Sequence, residues 1–308
     1  MKKFAVLLLS LILLGCSSTQ EQQQSMSAGA EWERIVKSAG LIEKTTQIEK
    51  FKIYYHEGGK GETIVLLHGF GGNKEMWTDF AKFLTPEYHV IILDLPGHGK
   101  STKAIEEWYT PEYQAERLDQ FANALGLSKF HIAGNSMGGE ISGEYAVKYP
   151  DRLLSVGLFN SGGIPSALTS EILTPLVIKR KNILIVTNRE EYNKVLELMF
   201  VKIPPWSEER MEATFQKSIS GTELKEKIIT DIARAIAPPL EAKLSKIMSP
   251  TLILWGDKDR ILDVSSTKIF EKGISNSKTV IMTNMGHCPQ MERPEETAGI
   301  YIDFLESL

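Results

Sequence analysis

The feature that most constrains this chain is a series of short apolar runs, each stopped by glycine, proline or aspartate: TIVLLHG (63–69), HVIILDLPG (89–97), FHIAGNS (130–136), LLSVGLFNSGG (153–163), PTLILWGD (250–257) and KTVIMTNMGH (278–287). Runs of four to six apolar residues, many of them β-branched, are too short for buried helices and suit strands covered on both faces. Helix-compatible stretches such as TPEYQAERLDQFANALGL (110–127) separate several of them, which predicts an α/β fold with a mostly parallel sheet flanked by helices. Before them, TTQIEKFKIYYHEGG (45–59) alternates without an intervening helix, as a leading antiparallel pair would. The chain has 308 residues, 42% hydrophobic and 24% charged, enough for one large core plus an insertion.

The strand rhythm stops between 164 and 245. NREEYNKVLELMF, SEERMEATFQKSI and LKEKIITDIARAI read as amphipathic helices, broken by IPPW and APPL, so this stretch is predicted to be a helical cap inserted into a core made of residues 31–163 and 246–308. At the other end, Lys2 and Lys3 followed by apolar residues 4–14 have the form of a secretory signal over residues 1–15, too short to span a bilayer comfortably. LLGC (13–16) resembles the bacterial lipoprotein processing box, which implies acylation of Cys16 and an address in the cell envelope. Ser17 in place of aspartate favours the outer membrane by the sorting rule of such lipoproteins. Residues 16–30, rich in serine and glutamine, would be a lipid-anchored tether. A formal charge of −4 gives no basic field for nucleic acid. With Cys16 and Cys288 the only cysteines, lipidation leaves no pair for a disulfide.

Gly134-Asn135-Ser136-Met137-Gly138 fits G-x-S-x-G, in which small residues flank a sharp strand-to-helix turn that exposes a serine hydroxyl at the sheet's C-terminal edge. The apolar strand before it and GGEISGEYAVKYP after it supply the context that a bare motif lacks. A serine hydroxyl is a weak nucleophile at neutral pH, so Ser136 needs a histidine base and a carboxylate to orient that base. Of six histidines, His68 and His98 lie in glycine turns, and His56, His89 and His131 at strand edges, whereas His287 follows the last strand and can overhang the serine. The loop before that strand offers Asp257, Asp259 and Asp263. Turn or cap roles suit Asp257 and Asp263, and Asp259 is the candidate acid. The backbone N–H groups of Met137 and Phe70 are placed to form an oxyanion hole, each such donor being worth about 3 kcal/mol in the transition state. No ligand spacing for a metal and no phosphate or dinucleotide loop is visible, so no cofactor is expected. Cys288, next to His287, is either reachable by thiol reagents that would crowd the imidazole or buried and inert.

HGFGG, DLPGHGKS, GNSMGG, WGDKD and GHCPQMERPE, in that order, resemble the α/β-hydrolase superfamily over nearly all of the chain after the tether. Serine at the elbow sets it apart from the dehalogenases and epoxide hydrolases of that superfamily, which use aspartate. GNSMGG is similar both to carbon–carbon bond hydrolases of aromatic degradation and to bacterial lipases related to monoacylglycerol lipases. HGFGGNKEMW, GHCPQMERPEETA and EYNKVLELMFVKIPPW are similar to the lipase group. The resemblance therefore implies a lipid-anchored carboxylic-ester hydrolase acting on acylglycerols or shorter acyl esters, with a carbon–carbon hydrolase as the enzymatic alternative and a non-catalytic envelope lipoprotein as the other.

Overall fold

A computed structural model describes residues 31–167, 182–234 and 238–308. The leader, Cys16 and the tether thus lie outside the described residues. After a helix over residues 31–38, the chain forms β1 (Leu41–Ile48), β2 (Phe51–Gly58), β3 (Thr63–Leu67), β4 (His89–Leu93), β5 (Phe130–Asn135), β6 (Leu153–Phe159), β7 (Thr251–Gly256) and β8 (Ser277–Met282). They make one eight-stranded sheet in the order β1-β2-β4-β3-β5-β6-β7-β8. β1 with β2 and β2 with β4 are antiparallel, and every later pair is parallel. The leading pair and the α/β core are therefore where the sequence pattern predicts them.

Two-residue periodicity divides the apolar runs between the two faces of the sheet. Val65, Leu67, Ile91, Leu93, Ile253 and Trp255 join one core cluster, together with Ile141 and Tyr145 of the helix Met137–Lys148. Their neighbours Ile64, Leu66, Val90, Ile92, Leu252 and Leu254 join the other, with Trp77, Phe80 and Tyr301. This double coverage is why β3, β4 and β7 read as unbroken apolar runs. β8 departs from that reading: it is the edge strand, with only Met282 fully buried, and Ile281 is 48% exposed. Its apolar run reflects β propensity and one buried face only.

Between β6 and β7 the chain makes the helices Arg189–Met199, Glu208–Ile219 and Thr222–Ala233. Asn188 and Ser207 cap the first two, accepting from Glu191 N at 3.0 Å and Arg210 N at 3.0 Å. Val186, Tyr192, Leu196 and Phe200 form a cluster separate from the two sheet cores, and it includes Cys288 of the loop after β8. The insertion thus has a small apolar centre of its own and rests on the loop that carries His287. No helix of the described residues is long and apolar enough to cross a membrane.

Candidate active site

Strand β5 ends at Asn135, and the next residue turns the chain into the helix Met137–Lys148 with φ 59° and ψ −120°. A non-glycine residue in that region costs about 1–3 kcal/mol and persists only where its surroundings enforce it. The enforcement is visible. Ser136 N donates to Phe159 O at 3.0 Å, and Ser136 O accepts from Glu140 N at 3.1 Å and Gly162 N at 2.9 Å. A Cβ on Gly134 would stand 2.1 Å from Gly138 O, and one on Gly138 would stand 2.4 Å from Leu67 O. Both glycines of the motif are therefore demanded by backbone passing backbone, which is what brings strand, turn and helix close enough to make the elbow.

Asp259 and His287 come together from the loops after β7 and β8. His287 Nδ1 lies 2.7 Å from Asp259 Oδ2, and neither side chain has appreciable exposure. The same carboxylate oxygen accepts from Asn160 Nδ2 at 2.7 Å, while Oδ1 accepts from Ile261 N at 2.8 Å and Leu262 N at 3.0 Å. With donors on both oxygens, the carboxylate is fixed in position, and the imidazole that donates from Nδ1 keeps Nε2 free to accept a proton. The backbone of His287 is held as well: its N–H donates to Met199 O at 2.7 Å and its carbonyl accepts from Asn135 Nδ2 at 2.9 Å. Asn135 is the residue before Ser136, so one side chain ties the elbow to the histidine loop. Among the described residues no hydrogen bond joins Ser136 Oγ to His287 Nε2. Such contacts commonly tighten only with substrate bound.

The loop after β3 lies against the elbow: a Cβ on Gly69 would meet Ser136 Cβ at 3.1 Å and Asn135 O at 3.3 Å. Phe70 follows. Among the described residues, no backbone or side-chain acceptor takes the N–H of Phe70 or of Met137. Met137 is the first residue of its helix, where N–H groups have no intrahelical partner and the helix dipole favours negative charge.

The remaining histidines are structural. His68 is fully buried, with Nδ1 2.8 Å from Gly69 O and Nε2 accepting from Leu95 N at 3.1 Å. His98 packs against its ring at 5.0 Å between centroids, and burial holds both below the ordinary imidazole range. His131 contacts Ser155 Oγ at 2.8 Å and His89 contacts Glu57 Oε1 at 2.8 Å, while burial lowers His56 to about 4. Asp257 and Asp263 take turn roles, accepting from Met285 N at 3.3 Å and Ser265 N at 2.8 Å. Cys288 is fully buried, its thiol 3.5 Å from Asn135 Oδ1 and pushed well above its ordinary range by burial. Of the two readings of Cys288, the buried one holds.

Sequence reading missed Asn135 as a link, Asn160 as a second donor to Asp259, and a buried knot under the loop after β3. In that knot Asp94 Oδ1 accepts from Lys74 N at 2.8 Å, and Oδ2 accepts from Lys74 Nζ at 3.0 Å and Lys100 N at 2.8 Å. Asn160 has φ 44° in a strand-ending NSGG, a positive φ that asparagine tolerates and the one local signal it gave. The knot joins HGFGGNK to DLPGHGK and has no signal within either stretch.

Beside the site, an apolar cavity takes in about 940 Å³ with its open mouth. Phe70 and Gly71 form one wall; Tyr192, Leu196, Met199 and Phe200 of the insertion form another. Ser136 and His287 do not line it. It reaches the site through Phe70 and through Met199, whose carbonyl holds His287.

Residues 62–294 match the family model of the alpha/beta hydrolase fold. Lipase 1 of Psychrobacter immobilis is 35% identical over 96% of this chain and 94% of its own length. A monoacylglycerol lipase of Mus musculus is 33% identical over 81% of this chain and 77% of its own. The crystal structure of a membrane phospholipase A described as a bacterial virulence factor superposes with a TM-score of 0.91 at 38% identity, covering 100% of this chain and 99% of that one. The chain belongs to the α/β-hydrolase fold family, and within it to the carboxylic-ester hydrolases.

Proposed function

We propose that this protein hydrolyses acyl esters of lipids through a covalent acyl-enzyme on Ser136. His287 Nε2 takes the hydroxyl proton as Oγ bonds to the ester carbonyl, and the negative charge on the carbonyl oxygen is met by the N–H groups of Phe70 and Met137. His287 then gives that proton to the departing alkoxide as the carbon–oxygen bond breaks. A water, deprotonated by the same nitrogen, releases the fatty acid and restores Ser136. Asp259 holds the imidazole in the tautomer that leaves Nε2 basic and stabilises the imidazolium between the two transfers. The observation that carries this reading is the 2.7 Å contact of His287 Nδ1 with Asp259 Oδ2 at the strand edge where Ser136 turns outward.

The insertion, 164–245, acts as a cap whose apolar wall receives the acyl chain. Cys16 carries lipid and holds the enzyme at the envelope membrane, with the outer membrane as its address; the names of relatives that act on lipids support such a setting. Hydrolysis of p-nitrophenyl esters of increasing chain length, alongside monoacylglycerol and triacylglycerol, tests the activity. Turnover of medium or long acyl esters that is abolished in Ser136→Ala is the expected result, and undiminished turnover in that variant overturns it. Labelling with a fatty-acid probe that is lost in Cys16→Ser tests the anchor.

A further inference from the structure

The stretch GHCPQMERPE holds an acidic residue close to the base for which the reaction above has no role. Glu292 ends the short helix Pro289–Glu292, and its own N–H donates to Cys288 O at 2.9 Å. That turn folds its side chain back to the residue before the histidine. Oε2 accepts from Gly286 N at 3.1 Å and from Val201 N at 3.2 Å, and Oε1 accepts from Lys202 N at 2.9 Å. One carboxylate therefore collects three backbone N–H groups, two of them from the insertion, 91 and 90 positions earlier in the chain. Two charged oxygens are suited to that number of donors, and bonds to a charged acceptor are the stronger kind.

The two segments that Glu292 joins also touch backbone to backbone. A Cβ on Gly286 would stand 2.4 Å from Met199 O and 3.0 Å from Phe200 Cα, so a side chain here would push the insertion away. His287 N donates to Met199 O at 2.7 Å. The successive N–H groups of Gly286 and His287 are both spent on this crossing, the first through Glu292 and the second directly. Gly286 and His287 are buried, and a buried N–H needs an acceptor, whereas Val201 and Lys202 are exposed and can turn to water. What Glu292 secures is therefore the backbone that leads into His287. Asp259 sets the tautomer and rotation of the ring, and Asn135 holds the carbonyl that follows it. We propose that Glu292 is a positioning residue for the base: it locks residues 199–202 of the insertion against the histidine loop and so holds His287 where it can exchange a proton with Ser136. This deepens the ester-hydrolase reading above and rests on it for the reaction, but the placement of His287 can be read without turnover.

Glu292→Met keeps the length of the side chain and removes both acceptors. Glu292→Gln keeps one oxygen, and that oxygen faces Gly286 N, because an amide NH2 there would meet two donors. At a temperature where every variant is folded, Glu292→Met is expected to lower kcat about a hundred-fold on both p-nitrophenyl acetate and p-nitrophenyl laurate, as a displacement of about 1 Å does, with KM within about two-fold. Glu292→Gln should stay within about five-fold of wild type. Ile53→Ala truncates a buried side chain in β2, near the opposite edge of the sheet, and should lower Tm but keep kcat. A loss in Glu292→Met smaller than about five-fold, or an equal loss in Glu292→Gln, overturns the proposal. So does a loss confined to the laurate or to KM, which would make Glu292 a support of the acyl wall, and an equal loss in Ile53→Ala, which would make the effect one of stability. The second readout is the far-downfield proton resonance of His287 Nδ1 in its hydrogen bond to Asp259, assigned by its absence in His287→Ala. It should persist in Glu292→Gln and Ile53→Ala and shift or broaden away in Glu292→Met; an unchanged resonance in Glu292→Met overturns the proposal. Failure of the ester-hydrolase reading would show separately, as wild-type protein that turns over neither ester, and the resonance would then decide the placement of His287 alone.

Discussion

The rim of the sheet and the inner wall of the insertion meet where Met199 O holds His287 N, but they are built on different terms. At the rim, positions are fixed by contacts that admit no extra atom: the backbone of Gly134 and Gly138 against neighbouring strands and turns, and Asp259 held through both oxygens. The wall is held by side chains against side chains, as in Arg189 over Phe215 at 3.8 Å, Tyr192 against Phe215 at 5.5 Å and Phe200 against Trp206 at 5.7 Å. Ring and cation contacts of this kind contribute about 0.5–2 kcal/mol each and can be exchanged singly. The difference separates two tasks. Backbone geometry sets where a reaction occurs, and replaceable side chains set what enters.

Attacks on the rim should have the largest effects. Ser136→Ala and His287→Ala are expected to lower kcat about 10⁴-fold or more, and Ser136→Ala should leave Tm nearly unchanged, because it removes one oxygen without opening a large cavity. A residual rate within ten-fold of wild type in either folded variant would end the assignment. Gly138→Ala attacks the geometry itself. A methyl 2.4 Å from Leu67 O and 2.6 Å from His68 O cannot be accommodated by a side-chain shift, so a stability loss above about 3 kcal/mol is expected in urea unfolding, together with loss of activity. A stable, active variant would show that the elbow is looser than its contacts imply.

Among the carboxylates the contrast is sharper. Asp259→Asn should cost about 10⁴-fold in kcat by presenting the wrong group to Nδ1, whereas Asp257→Asn should stay within a few-fold, since Asp257 only closes a turn on Met285. Asn160→Ala, which removes one donor from Asp259 and leaves the imidazole contact, should fall between them at about ten-fold. Reversal of the order of the two aspartates in steady-state kinetics would move the acid to Asp257.

The smallest expected effect lies on the seam between rim and insertion. Glu140, in the first turn of the elbow helix, has its carboxyl pushed up to about 8 by burial, with Glu144 and Glu112 adding to the shift. The folded state therefore binds a proton that the unfolded chain has released by about pH 4.5. Stability from this group is complete below that pH, declines as pH rises towards 8, and is gone above it. Thermal unfolding of the wild type should show Tm falling between pH 5 and 8.5, and Glu140→Gln should flatten that slope. An unchanged slope would mean that water reaches the carboxyl more freely than its surroundings suggest.

How much of this was legible in the chain depends on the range of the forces involved. Strand identity followed from apolar runs because a strand covered on both faces needs an apolar residue at every position, a requirement written locally in β3, β4 and β7. β8 is a strand as expected but not one covered on both faces: as an edge strand it leaves Ile281 half exposed, and nothing in KTVIM states that it will lie at the edge. The elbow was legible in part: Gly134 answers to a clash with Gly138 four residues on, whereas Gly138 answers to Leu67 of β3. The expectation that Asp259, among three aspartates in one loop, faces His287 agrees with the 2.7 Å contact, although the spacing alone could not have placed it there.

The sequence by itself determined the α/β rhythm and the glycines on either side of Ser136, because each is a pattern among neighbours along the chain. Only the tertiary structure decided that Asn135 reaches His287 O across 152 positions, that Asn160 reaches Asp259 across 99, and that Met199 of the insertion holds the His287 backbone. The burial of Cys288 belongs to the same class. Each of these is a hydrogen bond or a desolvation, effective over a few ångströms between residues that come together only when the sheet and insertion have packed, and short-range forces of that kind leave no periodic trace in a sequence.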